Sequence, residues 1–169
     1  LLDKFCFVQK KLPSALEDKI WSLEFKDFGV CDGELRYRIR DVEDSLRLEL
    51  IDFFKTCTED EYLIQTLNDF HFDINKMIQG EWIEMHNEVS QFCPFEVILW
   101  LSKSEDFVGR DFLIQRHLGR QKVRPTNGLV CFLDTTDPDV FHGVDKLISD
   151  HQIISITGGL GRKEDFRND

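Results

Sequence analysis

At Phe70 the hydrophobic period of the chain changes. Phe70, Phe72 and Ile74 alternate with His71, Asp73 and Asn75, and the alternation continues through Met77 and Ile78. A period of two places one set of side chains on the buried face of a strand. Before this point the apolar residues fall at helical spacing. Ser14-Ala15-Leu16-Glu17, after Pro13, has a capping-box pattern followed by Leu16, Ile20 and Leu23. Asp41 is predicted to cap a second helix with the stripe Val42, Leu46, Leu50 and Phe53 or Phe54. Thr58-Glu59-Asp60-Glu61 repeats the signature before Tyr62, Leu63 and Leu67. Leu35–Ile39 alternates as a short strand. After Phe70 come further short strands at Trp82–His86, Phe95–Leu101, Phe112–Arg116, Leu129–Leu133 and Ile153–Thr157, with turn residues between them. Helices first and many short strands after, without βαβ alternation, predict a mainly β, α+β chain whose strands form an antiparallel sandwich or barrel. One domain is expected: a helical lead-in over 1–69, a β core over 70–157, and a fraying tail over 158–169 that begins Gly158-Gly159-Leu160-Gly161.

Charge narrows the function classes. Lys and Arg total 21 against 32 Asp and Glu, for a formal charge of −11. Such a chain repels phosphate backbones and anionic membranes, so neither nucleic acid nor a membrane is an expected partner. No apolar run approaches the roughly 20 residues that span a bilayer. The five cysteines are scattered without a CxxC pair, so five free thiols in a reducing cytoplasm are expected. The start, Leu1-Leu2-Asp3-Lys4, has neither initiator Met nor signal pattern and reads as lying inside a longer gene product.

Two short segments carry possible chemistry. In Met85-His86-Asn87-Glu88, residues i and i+2 of an extended chain share a face, so His86 and Glu88 point the same way. Phe141-His142-Gly143-Val144 precedes the last strand. Two imidazoles and one carboxylate cap one face of an octahedral ferrous ion and leave the other positions open. Taken alone, the tripeptide is more commonly a surface His near a Glu.

The order of segments from Trp82 to Ile156 resembles the iron(II)- and 2-oxoglutarate-dependent oxygenases, in their prolyl-4-hydroxylase-like branch. That pattern runs through His86-Asn87-Glu88, the apolar run Val97–Leu101, Gly109-Arg110-Asp111-Phe112, Pro125-Thr126-Asn127-Gly128 with Leu129–Phe132, His142-Gly143-Val144, and Ile154-Ser155-Ile156. The resemblance implies a double-stranded β-helix (jelly-roll) core, Fe(II) held by His86, Glu88 and His142, and 2-oxoglutarate and O2 as cosubstrates. It further implies hydroxylation of an unactivated C–H bond in a small molecule or peptide, with release of succinate and CO2. Many members grip the outer carboxylate of 2-oxoglutarate with a Lys or Arg just before a Ser or Thr on the last strand. Ser155 matches the hydroxyl, but Ile153 stands where the cation would. Arg110, Arg116, Arg124 and Lys146 are the replacements considered. Arg110 is favoured because some branches supply this cation from another strand; its alternative is a solvated loop residue.

Two rival readings stand beside this one: a metal enzyme on the same barrel that does not use 2-oxoglutarate, and a non-catalytic interaction module. His71, His117 and His151 are expected to be polar-face or surface residues. The basic run Arg116, Arg120, Lys122 and Arg124 is expected to be a solvated loop, with an anion or lid contact as its alternative.

Overall fold

A computed structural model describes residues 5–29, 33–87, 93–106, 108–116 and 119–160. The strand β1 (Phe5–Gln9) leads into helix α1 (Ser14–Trp21), then β2 (Lys26–Asp27) and β3 (Tyr37–Ile39). Helices α2 (Asp44–Lys55) and α3 (Glu61–Thr66) follow, with a 3-10 turn over Leu67–Asp69. Eight strands complete the chain: β4 (Phe70–Met77), β5 (Ile83–His86), β6 (Phe95–Ser102), β7 (Phe112–Arg116), β8 (Gly119–Val123), β9 (Leu129–Asp134), β10 (Phe141–Val144) and β11 (Ile153–Leu160).

Those eight strands wind between two sheets. The larger has the order β1-β9-β6-β11-β4-β3-β2 and the smaller β5-β10-β7-β8. From β4 to β7 and again from β8 to β11 each successive strand changes sheet, and the β7–β8 hairpin lies at the midpoint. Every pairing is antiparallel. This is a double-stranded β-helix, mainly β with its helices at the N-terminal end.

The large sheet is buried on both faces, which explains the unbroken apolar run in β6. Val97, Leu99 and Leu101 face the helices, where they join Ile20, Leu46, Leu50, Phe54, Phe70 and Phe72 in one core. The Phe54 and Phe72 rings stack there at 5.4 Å. Ile98 and Trp100 face the small sheet and meet Phe112, Ile114, Cys131 and Ile153 in a second core. Full burial of one such side chain contributes about 1.5–3 kcal/mol, so this inner core locks the two sheets into a barrel.

Several expectations are corrected. Ser14 lies inside α1, whose N-cap position is Pro13 and has no side-chain cap. Asp41 does not cap α2: the helix starts at Asp44, and Asp41 has φ 52° and pairs with His71 at 2.8 Å. In the third signature the cap is Asp60 rather than Thr58, and its carboxylate accepts from the Tyr62 and Leu63 amides. The mainly helical lead-in also contains a strand not expected from the sequence, β1, which pairs with β9 along the edge of the large sheet. Of the basic run, Arg116 ends β7 and Arg120 and Lys122 lie in β8 rather than in a loop, while Arg124 follows β8. Gly158, Gly159 and Leu160 are not a fraying tail; they extend β11, paired with Phe72, His71 and Phe70. A Cβ on Gly158 would lie 2.4 Å from the Phe72 ring, so that strand position requires glycine. Gly161 and the residues after it lie outside the described ones.

Candidate active site

His86 ends β5 and His142 is the second residue of β10. They are direct cross-strand partners, with ring centroids 4.4 Å apart. His142 is 6% exposed, and the Phe112 ring lies 5.8 Å from its imidazole. Between the strands Gly143 permits a close approach: a Cβ there would meet the Ile83 carbonyl at 2.8 Å and the Met85 sulfur at 3.1 Å. The His86 Nδ1 lies 2.7 Å from the Glu84 carbonyl. A carbonyl only accepts, so the proton resides on Nδ1 and a neutral ring keeps its lone pair on Nε2. The Asn87 side chain donates to the Pro138 carbonyl at 3.1 Å, which ties the end of β5 to the loop that enters β10.

Glu88 lies outside the described residues. Among those described, no three His, Cys, Asp or Glu side chains gather into a metal-binding group. The two histidines therefore meet as the sequence reading expects, while the position of their carboxylate partner is not described. The donor chemistry suits a ferrous ion: two cross-strand imidazoles, at least one with its tautomer fixed by the backbone, on the wall of a cavity.

That cavity measures about 550 Å³ and lies between the sheets. His86, His142, Phe112 and Val144 line it from the small sheet; Asn75, Ile98, Trp100, Ser155 and Thr157 line it from the large one. Ser155 is the register partner of both Asn75 and Trp100, and paired residues of adjacent strands share a face. The sequence reading missed Arg38 and Arg40, which also line the cavity. Its signal was the alternation over Leu35–Ile39, which gives Arg36 and Arg38 one face of a strand. Nothing in the sequence said which sheet edge that strand joins.

Arg110 is not solvated. It is 2% exposed, and its Nε and Nη1 are buried with no hydrogen-bond partner. Desolvation pulls its pKa down to about 9. It lies two residues ahead of Phe112, whose ring packs on Trp100 at 5.1 Å, and it is not among the residues lining the cavity. The other cations considered are placed elsewhere: Arg116 is exposed, Arg124 pairs with Asp111 at 2.6 Å, and Lys146 sits over the Trp82 ring at 4.9 Å. A buried guanidinium with open donors is chemically suited to the outer carboxylate of a dicarboxylate.

The remaining candidates stay apart from the cavity wall. His71 pairs with Asp41, and His151 is half-buried; His117 lies outside the described residues. Lys122 and Arg124 tie the hairpin to Asp145 and Asp111. Cys6, Cys57, Cys93 and Cys131 are free thiols, and Cys31 lies outside the described residues. No helix among the described residues is long and apolar enough to cross a membrane.

The sequence matches no protein-family model and no curated protein. Solved structures share the architecture. An oxidoreductase of the 2OG-Fe(II) oxygenase family from Burkholderia pseudomallei superposes with a TM-score of 0.65 at 15% identity, over 95% of this chain and 89% of that one. A Pseudomonas putida prolyl-4-hydroxylase gives 0.63 at 16% identity, over 94% and 93%. A viral collagen prolyl hydroxylase from Paramecium bursaria Chlorella virus-1, solved with 2OG, gives 0.66 at 11% identity, over 94% and 97%. The chain has the fold of the iron(II)- and 2-oxoglutarate-dependent oxygenases, in the form found in prolyl-4-hydroxylases.

Proposed function

We propose that this protein is an Fe(II)- and 2-oxoglutarate-dependent dioxygenase that hydroxylates an unactivated C–H bond of a small-molecule or peptidyl substrate. The observation that carries the reading is the cross-strand pair His86 and His142, facing Ser155 across one cavity of this barrel. His86 through Nε2, His142 and the Glu88 carboxylate would hold the metal. Arg110 would meet the outer carboxylate of 2-oxoglutarate, with Ser155 adding a hydroxyl. When bound, iron would activate O2, the oxidant, with 2-oxoglutarate supplying two electrons as it is decarboxylated to succinate and CO2, one oxygen atom going to succinate and the other to the C–H carbon. The chain's own work is positional. The Glu84 carbonyl keeps the His86 ring in one orientation, and burial of His142 holds the second ligand. Trp100 and Phe112 keep water from the inner end of the cavity. One similar structure, a Trichoplax adhaerens prolyl hydroxylase, is in complex with a peptide fragment, which keeps a peptidyl substrate open here.

Anaerobic addition of ferrous ion and then 2-oxoglutarate tests the proposal. A visible charge-transfer band from the chelate, absent in His142→Ala, is the expected result, together with succinate release once oxygen is admitted. A second reading is favoured by Ile153 in the usual cation position and by Arg110 standing off the cavity wall: a metal enzyme on the same barrel that does not use 2-oxoglutarate. Metal binding with neither band nor succinate selects it. A chain that binds no metal at all is the interaction module.

A further inference from the structure

Beyond β4 the large sheet runs into a corner where bases surround aromatic rings. The cationic groups of Lys26, Arg38 and Arg40 stand 5.0, 4.6 and 5.6 Å from the centre of the Phe28 ring. Three positive charges thus gather on one side chain in a protein whose formal charge is −11. Cation–π attraction of about 0.5–1 kcal/mol at each exposed contact is set against their mutual repulsion. Register gives the direction of the corner. Lys26 pairs with Arg38, Arg38 with Asn75, and Asn75 with Ser155. Arg38 therefore belongs to the inward row that ends at the cavity, and both Arg38 and Arg40 line it together with the two histidines. The Arg38 side chain is 14% exposed. Its Nη1 makes a 3.3 Å contact with the exposed Glu34 carboxylate, and its Nε is buried with no hydrogen-bond partner. A desolvated guanidinium donor without a partner favours an incoming anion.

We infer that Arg38, flanked by Arg40 and Lys26, binds a carboxylate of the substrate on the wall opposite His86 and His142, which makes the substrate a small carboxylic acid. The inference rests on the oxygenase reading above. A carboxylate suits the site better than a phosphate. Glu34, Asp73, Glu84 and Glu96 share the cavity lining, and a phosphate would bring about 1.5–2 negative charges against them where a carboxylate brings one. Burial also holds the Asp73 carboxyl above its ordinary range. The cavity volume suits a small molecule, although the same carboxylate could be presented by a peptide.

The test uses the whole chain, loaded anaerobically with ferrous ion and 2-oxoglutarate. The probes are the free amino acids and simple monocarboxylic acids, each beside its primary amide, with binding read by ligand-observed NMR. At least one acid is expected to bind ten-fold or more tightly than its amide, which has the same shape without the charge. Arg38→Ala is expected to bring the acid down to the level of the amide while the 2-oxoglutarate chelate band still forms. Arg38→Gln, which keeps the stem over Phe28, covers the case in which the alanine variant does not fold. A C-terminal tripeptide of the preferred acid, compared with its capped form, assigns the source: tighter binding than the free acid points to a peptide carboxylate and overturns the small-acid assignment. Equal binding of acid and amide, no binding acid, or a preference untouched in both Arg38 variants also overturns it. Loss of the chelate band in the Arg38 variants alone would make Arg38 a cosubstrate anchor instead. Absence of the band in the parent removes the oxygenase reading itself.

Discussion

Arg110 is a buried charge whose Nε and Nη1 have no hydrogen-bond partner among the described residues. A buried charge without a partner costs several kcal/mol, and apolar replacement of buried charged groups is often neutral or stabilising by about 1–4 kcal/mol. Arg110→Met removes the charge, keeps much of the volume and leaves the backbone at its φ of 63°. The unliganded variant is expected to melt higher than the parent, by about 2–4 °C per kcal/mol gained. Its affinity for 2-oxoglutarate is expected to fall at least a hundredfold with iron binding intact, whereas Arg116→Ala and Arg124→Ala behave like the parent. The pH dependence has a definite sign. The folded-state pKa is depressed to about 9, so above that value the unfolded chain holds the proton that the folded one has released. The parent therefore recovers stability as pH rises above about 9, and the gap between it and Arg110→Met narrows. A gap that is constant from pH 7 to 11, measured by urea unfolding, would remove the unpaired charge as its cause. The thiols give a second check at this scale. Burial pushes Cys131 and Cys57 up from the ordinary thiol range, and Cys6 is only half-buried. Of these three, Cys6 is expected to react first with a thiol reagent in the folded protein. Denatured but unreduced protein is expected to titrate five thiols; a smaller number would mean that a disulfide had formed.

At the scale of elements, the site depends on how closely β5 approaches β10. Gly143→Ala forces a methyl group onto the Ile83 carbonyl and the Met85 sulfur, which moves β5 and with it His86. Metal affinity is expected to fall ten-fold or more in that variant, as measured by competition with a chelator. An unchanged affinity would show that β5 can shift without carrying the ligand away. Helix ends make a cleaner contrast. Asp60→Ala removes an acceptor shared by two amides and is expected to cost about 0.5–2 kcal/mol. Ser14→Ala is expected to cost almost nothing, because Ser14 is not a cap; equal losses for the two would contradict the cap assignment. These elements also show where the sequence was legible. The long strand β4 announces itself by its period of two, and β6 and the first part of β11 by their apolar and β-branched runs, because each is buried in a sheet interior. The strands β1, β8 and β10 do not. β8 is an exposed edge whose bases look like a loop, β1 is a short strand placed by its pairing with the distant β9, and β10 contains a glycine demanded by a neighbouring strand. Caps were misplaced by one or two residues because the polar pattern at a helix start does not say which of its residues adopts the extended backbone.

For the whole molecule, the order of segments carried more information than any one segment. His86 and His142 stand far apart in the chain, and only the alternation of strands between two sheets makes them neighbours; the order His-x-Glu, apolar strand, turn, strand, distal His was enough to foresee that. Arg38 was not foreseen. Its place depends on an extra strand at the edge of the large sheet, and edge pairing is decided by tertiary contacts that a local pattern does not contain. The proposed metal binding would be a property of the folded state alone, since only the fold makes His86 and His142 cross-strand partners. A ligand that binds only the folded state at a hundred times its Kd adds about 2.7 kcal/mol, or ~5–10 °C in melting temperature for a domain of this size. Anaerobic ferrous ion is therefore expected to raise the melting temperature of the parent by that amount, and 2-oxoglutarate to add a further rise only when the metal is present. His86→Ala and His142→Ala each change the starting temperature through packing, so the quantity to read is the metal-induced increment. It is expected to vanish in both variants and to persist in Arg38→Ala and Ser155→Ala, with the second rise reduced in Ser155→Ala. An increment that survives in His86→Ala and His142→Ala alike would place the metal elsewhere and separate this barrel from oxygenase chemistry.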